Sequence, residues 1–182
     1  MKDMIKKRKI ALLLIVVLFS LMFVQSAFAW PGIGYVWQNP GAPQLRFVSG
    51  FPSDLQTAAS NAAYSWGAYP LHTYIWGNNS SGNLNCTSYY NSNSYTSGTT
   101  YPAITLGYIT GANIEINTYW SNSYSTLGKQ SLVGHEFGHA LGLSEYYADN
   151  WGLMVHSDAT RNANETFQPR TSDINGINSL YP

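Results

Sequence analysis

The 182-residue chain has a single cysteine, Cys86, which excludes an internal disulfide whatever the compartment. Charge is scarce: Asp, Glu, Lys and Arg together make 10% of residues, against roughly a quarter in an ordinary soluble domain. Apolar runs long enough to span a bilayer are absent. The one candidate, Ile10 to Val24, covers about 15 residues where a membrane helix needs roughly 20.

That run has a different explanation. Lys2, Lys6, Lys7, Arg8 and Lys9 precede it and Ala27-Phe28-Ala29 closes it, the arrangement of a secretory signal peptide over residues 1–29. Cleavage there would start the mature chain at Trp30 and place it outside the cell, with no stable membrane association afterwards. The segment carries five of the nine basic residues and one of the nine acids, leaving four basic groups against eight acidic ones. A mildly acidic remainder without a basic patch excludes nucleic-acid binding. Residues 30–182 suffice for one domain with one core, expected to be monomeric.

Histidine is rare too, at four residues, yet two of them stand in Val133-Gly134-His135-Glu136-Phe137-Gly138-His139-Ala140-Leu141-Gly142-Leu143-Ser144-Glu145. On a helix, His135 and His139 project from one face a turn apart and can close on one metal ion, for which zinc is expected. Glu136, one residue round, can reach a water at the metal as general base without itself ligating. Gly142 is suited to end the helix in a left-handed conformation and fold the chain back. Glu145 then becomes the expected third ligand, with His156, Asp149 and Glu165 as alternatives. Two histidines and a glutamate form an established catalytic zinc set.

The run resembles the extended H-E-x-x-H-x-x-G-x-x-H motif of metzincin metallopeptidases, and HEFGHALGL is similar to the matrixin branch. The departure is Glu145 where the pattern has histidine. The resemblance implies an α+β, metzincin-type catalytic domain: a twisted mixed sheet, an active-site helix, a first backing helix and a C-terminal helix. It implies a secreted zinc endopeptidase acting on protein or peptide substrates. It also implies a methionine turn at Met154 beneath the metal, and a role for Asp173 in bracing that turn. His156 is either a stabiliser of the reaction's oxyanion, an alternative ligand, or a surface residue. Matrixins are commonly held latent by a propeptide cysteine, but Cys86 lies inside the mature domain and reads as a structural thiol. His72 lacks the companions of a second, structural zinc site, so one zinc is expected. The Asn- and Asp-bearing loops leave room for Ca2+, but no ligand spacing supports a site.

Elsewhere, Gln44 to Val48 alternates as a half-buried strand. Ser53 and Gln56 suggest a capping box before an alanine-rich helix that ends at Trp66-Gly67. Short strands are expected at Leu71–Trp76, Ala103–Tyr108 and Asn113–Asn117. Residues Gly77 to Thr100 look too polar for core. By resemblance, Ile114 to Thr118 would form the sheet edge over the cleft, where an extended peptide pairs. A closing helix begins at Ser172 or Asp173, with Ile174, Ile177 and Leu180 inward. Two other classes remain open: a zinc-binding secreted module without catalysis, and a purely structural exported domain that binds no metal.

Overall fold

The computed structural model describes residues 32–68, 75, 77–146 and 151–182. The signal peptide, the Trp30 start, His72, the strand expected at 71–76 and Asp149 lie outside them.

A five-stranded mixed sheet forms the larger part. Strands β1 (Val36–Trp37), β2 (Leu45–Phe47), β3 (Leu84–Tyr89) and β5 (Tyr108–Asn117) run parallel in the order β1-β5-β3-β2, and β4 (Gly98–Thr105) lies antiparallel against β5. Three sequence expectations are corrected here. Residues 77–100 are not all loop, because β3 crosses the tract and sits between β2 and β5, with Leu84 and Cys86 fully buried. Only two apolar side chains are needed for a strand whose neighbours supply its hydrogen bonds. The strand expected at 103–108 is broken by a hairpin turn at Leu106-Gly107, both in left-handed backbone. The hairpin also displaces β5 from the edge. Ile114 to Asn117 is interior to the sheet, and β4 is the edge strand on that side, its far side without a partner among the described residues, as β1 and β2 are edges elsewhere.

Helix α1 (Ser53–Gly67) buries Leu55, Ala58, Ala59, Ala62, Ala63 and Trp66. Ser53 is not its cap: Pro52 holds that position, and Gln56 reaches past it to donate to the Phe51 carbonyl at 2.8 Å. The small residues let α1 lie close to the active-site helix α3 (Thr126–Ala140), where a β-carbon added at Gly134 would meet that of Ala62 at 3.6 Å. Short helix α2 (Thr118–Ser121) links β5 to α3.

Beyond Gly142 the chain forms a smaller part with two short helices, α4 (Asp158–Ala163) and α5 (Thr171–Leu180). Helix α5 begins at Thr171, one residue earlier than expected, and buries Ile177. Ile174 and Leu180 are only partly buried. No described helix is long and apolar enough to cross a membrane.

Candidate metal centre and active site

Helix α3 starts where the Ser125 hydroxyl accepts the Gly128 N–H at 3.1 Å, satisfying one of the donors a helix leaves open. Its far end is held by aromatic residues: Trp37 Nε1 donates to Ala140 O, and Tyr181 Oη to Leu141 O, each at 2.8 Å. Gly142 then adopts φ +101°, and a β-carbon there would lie 2.7 Å from the Tyr35 carbonyl. Only glycine meets both conditions.

The reversal brings Glu145 back to the helix. One ligand atom from each of His135, His139 and Glu145 lies within 4.8 Å of the others. Glu145 Oε1 is 3.4 Å from each histidine Nε2, and the two Nε2 atoms are 3.2 Å apart. His135 Nδ1 lies 2.9 Å from Leu153 O, and His139 Nδ1 lies 2.9 Å from Leu143 O. A carbonyl only accepts, so His139 Nδ1 carries its proton. His135 Nδ1 also has the Arg161 Nη1 donor at 3.2 Å, but the shorter contact to Leu153 O places the proton there as well, and each Nε2 presents a bare lone pair. Two lone pairs and a carboxylate oxygen thus converge and repel one another, with exposed His156 Nδ1 also 3.3 Å from Oε1, and Glu145 Oε2 is buried with no hydrogen-bond partner among the described residues. A divalent cation removes that mutual repulsion, so the donor set fits zinc.

Without a cation, protons can relieve part of the strain. Burial opposes charge on both His139 and Glu145, but their neighbours outweigh it: Glu145 and Glu136 raise His139 above its ordinary value, and His135 and then His139 bring Glu145 well below the carboxylate range.

Glu136 is buried beside this cluster. The Thr100 hydroxyl lies 2.7 Å from its Oε2 and 2.9 Å from its main-chain carbonyl. Gly98 presses on the same carboxylate, since a β-carbon there would stand 2.7 Å from Oε1. Strand β4 therefore walls in the glutamate. Cavities of about 660 Å³ and 540 Å³ both border Glu136 and Glu145. The first is lined further by Ile33, Tyr35, Pro102 and Ile104, the second by Trp120, Tyr124, His156 and Asp158.

Met154 is fully buried and so close to the helix that a β-carbon at Gly138 would meet its Sδ at 2.1 Å. Buried Asp173 accepts from the N–H groups of Leu153 (2.7 Å), Met154 (3.0 Å) and Arg170 (2.7 Å). Burial pushes its carboxyl up, and these three donors pull it down. His156 is exposed, with Nδ1 3.3 Å from Glu145 Oε1, and stands outside the converging set. Glu165 is exposed and also outside it.

Sequence reasoning missed Gly98, Thr100, Tyr124, Asp158 and Arg161. Arg161 is one of only four basic residues after position 29, yet it is 1% exposed. That rarity on a helix carrying Asp158 three residues earlier was the available signal. Burial works against the Arg161 charge, while Asp158, then Glu136 and Glu145, work for it; the net is a lowered but still cationic guanidinium. Burial and Asp158 push Tyr124 up, which keeps its phenol a donor.

No family model and no curated protein sequence matches the chain. Among solved structures it is similar to myroilysin, with 16% identity and a TM-score of 0.55 over 81% of this chain and 95% of that one. It is also similar to high choriolytic enzyme 1, a hatching enzyme zinc-protease from Oryzias latipes (medaka fish). Identity there is 12% and the TM-score 0.48, over 86% and 96% of the two chains. The likeness to myroilysin shows the fold alone: a mixed α/β domain with the chain path of that protein.

Proposed function

We propose that the chain is a secreted zinc-dependent endopeptidase, with zinc held by His135, His139 and Glu145 and with Glu136 as general base. The observation that carries this reading is the convergence of two imidazole Nε2 atoms and a carboxylate oxygen, beside a buried carboxylate that is not part of the set. Zinc held there supplies Lewis-acid polarisation of a peptide carbonyl and acidifies water.

The protein's own groups do the rest. Glu136, oriented by Thr100, takes the proton of the attacking water and returns it to the departing amine. Strand β4 offers its unpaired backbone edge to an extended peptide, which fixes direction with little demand on sequence. His156, exposed at the rim, is assigned the oxyanion contact rather than a ligand role. Met154 serves as the apolar floor. The finer kinship is with matrixins, on HEFGHALGL and on Asp173, with Glu145 replacing their third histidine.

The test is cleavage of an unfolded protein by residues 30–182, with chelator and then with zinc restored. Glu136→Gln should retain one zinc and lose about 10²–10⁴-fold in turnover. Zinc without turnover in the parent chain would leave a metal-binding module; absence of zinc would leave a structural exported domain.

A further inference from the structure

Helix α4 buries a charge that the proposed reaction does not use. The Arg161 guanidinium, through Nη1, donates to the carbonyls of Val155 and, at 3.3 Å, His156, and its Nε donates to Ser131 Oγ at 3.3 Å. The same Nη1 stands 3.2 Å from His135 Nδ1. Through Nη2 it pairs with Asp158 Oδ1. The other oxygen of Asp158 accepts from the Ser97 hydroxyl and, at 2.9 Å, from the Tyr124 phenol.

These bonds tie together four segments around the cleft, alongside the Leu153–His135 and Thr100–Glu136 contacts already described. Val155 and His156 follow Met154, and the Leu153 carbonyl just before it fixes the His135 ring. Ser131 and His135 lie on α3. Ser97 adjoins Gly98, which presses on the Glu136 carboxylate. Tyr124 lies in the turn ahead of α3.

We propose that Arg161 and Asp158 are positioning residues that lock the two walls of the cleft together, so that Glu136 on the β4 side and the His135 ring on the methionine-turn side keep one relative placement. This rests on the peptidase reading above. An apolar pair of equal volume would fill the space, but it would bond to neither the carbonyls nor Ser97. A guanidinium with several fixed donors and a carboxylate with two oxygens can serve all of these partners at once. Both act through other groups and touch no substrate.

The experiment compares the parent chain with Asp158→Asn, Arg161→Lys, Arg161→Met and Ser97→Ala, each loaded with zinc or with Co2+. For Asp158→Asn we expect full metal occupancy, a shifted Co2+ d–d absorption and a 10–100-fold fall in kcat with KM within about threefold. Arg161→Lys should recover part of what Arg161→Met loses. Ser97→Ala, which removes one exposed-side strap and keeps the buried pair, should lower kcat several-fold and guards against a failure of the other variants to fold. The proposal is overturned if the variants lose only Tm while kcat per metal-loaded molecule and the Co2+ spectrum stay as in the parent. If the parent itself binds metal but hydrolyses nothing, the peptidase reading fails, and the Co2+ spectra of the variants still decide whether the pair sets the site.

Discussion

The two parts of the molecule on either side of Gly142 are held by different forces. The larger part is ordinary core: Leu45, Leu84, Ile109, Ile114 and Ile116 from the strands meet the alanine face of α1 and one side of α3, all removed from water. The smaller part contributes few apolar groups, chiefly Leu143, Leu153, Met154 and Ile177, and has little regular structure. Its shape depends on two buried charges, Asp173 and Arg161, bonding to main-chain groups around the methionine turn. Burial is non-directional and tolerant, whereas hydrogen bonds to fixed carbonyls and N–H groups specify position. The larger part therefore sets stability, and the smaller part sets where the candidate ligand atoms point.

Substitutions can separate these roles. Leu84→Ala removes a fully buried side chain from the middle of the sheet and should cost about 2–5 kcal/mol in denaturant unfolding. The folded fraction should still bind one zinc with parental affinity, and an affinity loss beyond that would blur the division. Asp173→Ala strands three N–H groups, at about 1–3 kcal/mol for each that water does not reach, so its cost in unfolding should be comparable. Zinc affinity should here drop by about 10–100-fold, because the turn that orients His135 is released. Equilibrium dialysis read against Tm distinguishes the two patterns.

A pH series sharpens the comparison further. In the metal-free protein, and in each case against burial, Glu145 and Glu136 hold His139 above its ordinary 6.5, and His135 and then His139 hold Glu145 well below its ordinary 4.5. The histidine's share of stability is complete below 6.5 and is lost as pH rises through the raised value. The carboxylate's share is present above 4.5 and is lost only on strong acidification. Between these limits both contribute, so chelated protein should melt higher at pH 5.5 than at pH 8. Zinc-loaded protein should show the reverse, because protons compete with the metal. The smallest effect is expected at Cys86, whose thiol burial pushes up to about 12. Alkylating reagent at pH 8 should leave it unmodified until the sheet unfolds.

How much of this was legible beforehand follows the same division. Residues 135, 139, 142 and 145 could be read because helical spacing and one left-handed glycine fix geometry locally. The role expected of Asp173 came with a resemblance, and its bonds to Leu153 and Met154 agree with it. Strand β3 was hidden because its two apolar residues alternate with Asn85 and Thr87 inside a polar tract. The β4–β5 turn was hidden because Leu106, exposed at the hairpin tip, reads as strand interior. Thr100 left no periodic trace, since its partner Glu136 is 36 residues away and is chosen by tertiary packing; the Arg161–Asp158 pair was visible in its i,i+3 spacing, but its burial was not.

The indole of Trp66 donates to Gly134 O at 2.9 Å much as that of Trp37 caps Ala140 O, and neither ring is more than 3% exposed. Two of the six tryptophans are thereby wired to the backbone of α3 about six residues apart. With the other four replaced by phenylalanine, their emission becomes an optical gauge of that helix, readable without a label, in which a red shift marks loss of order near the candidate centre.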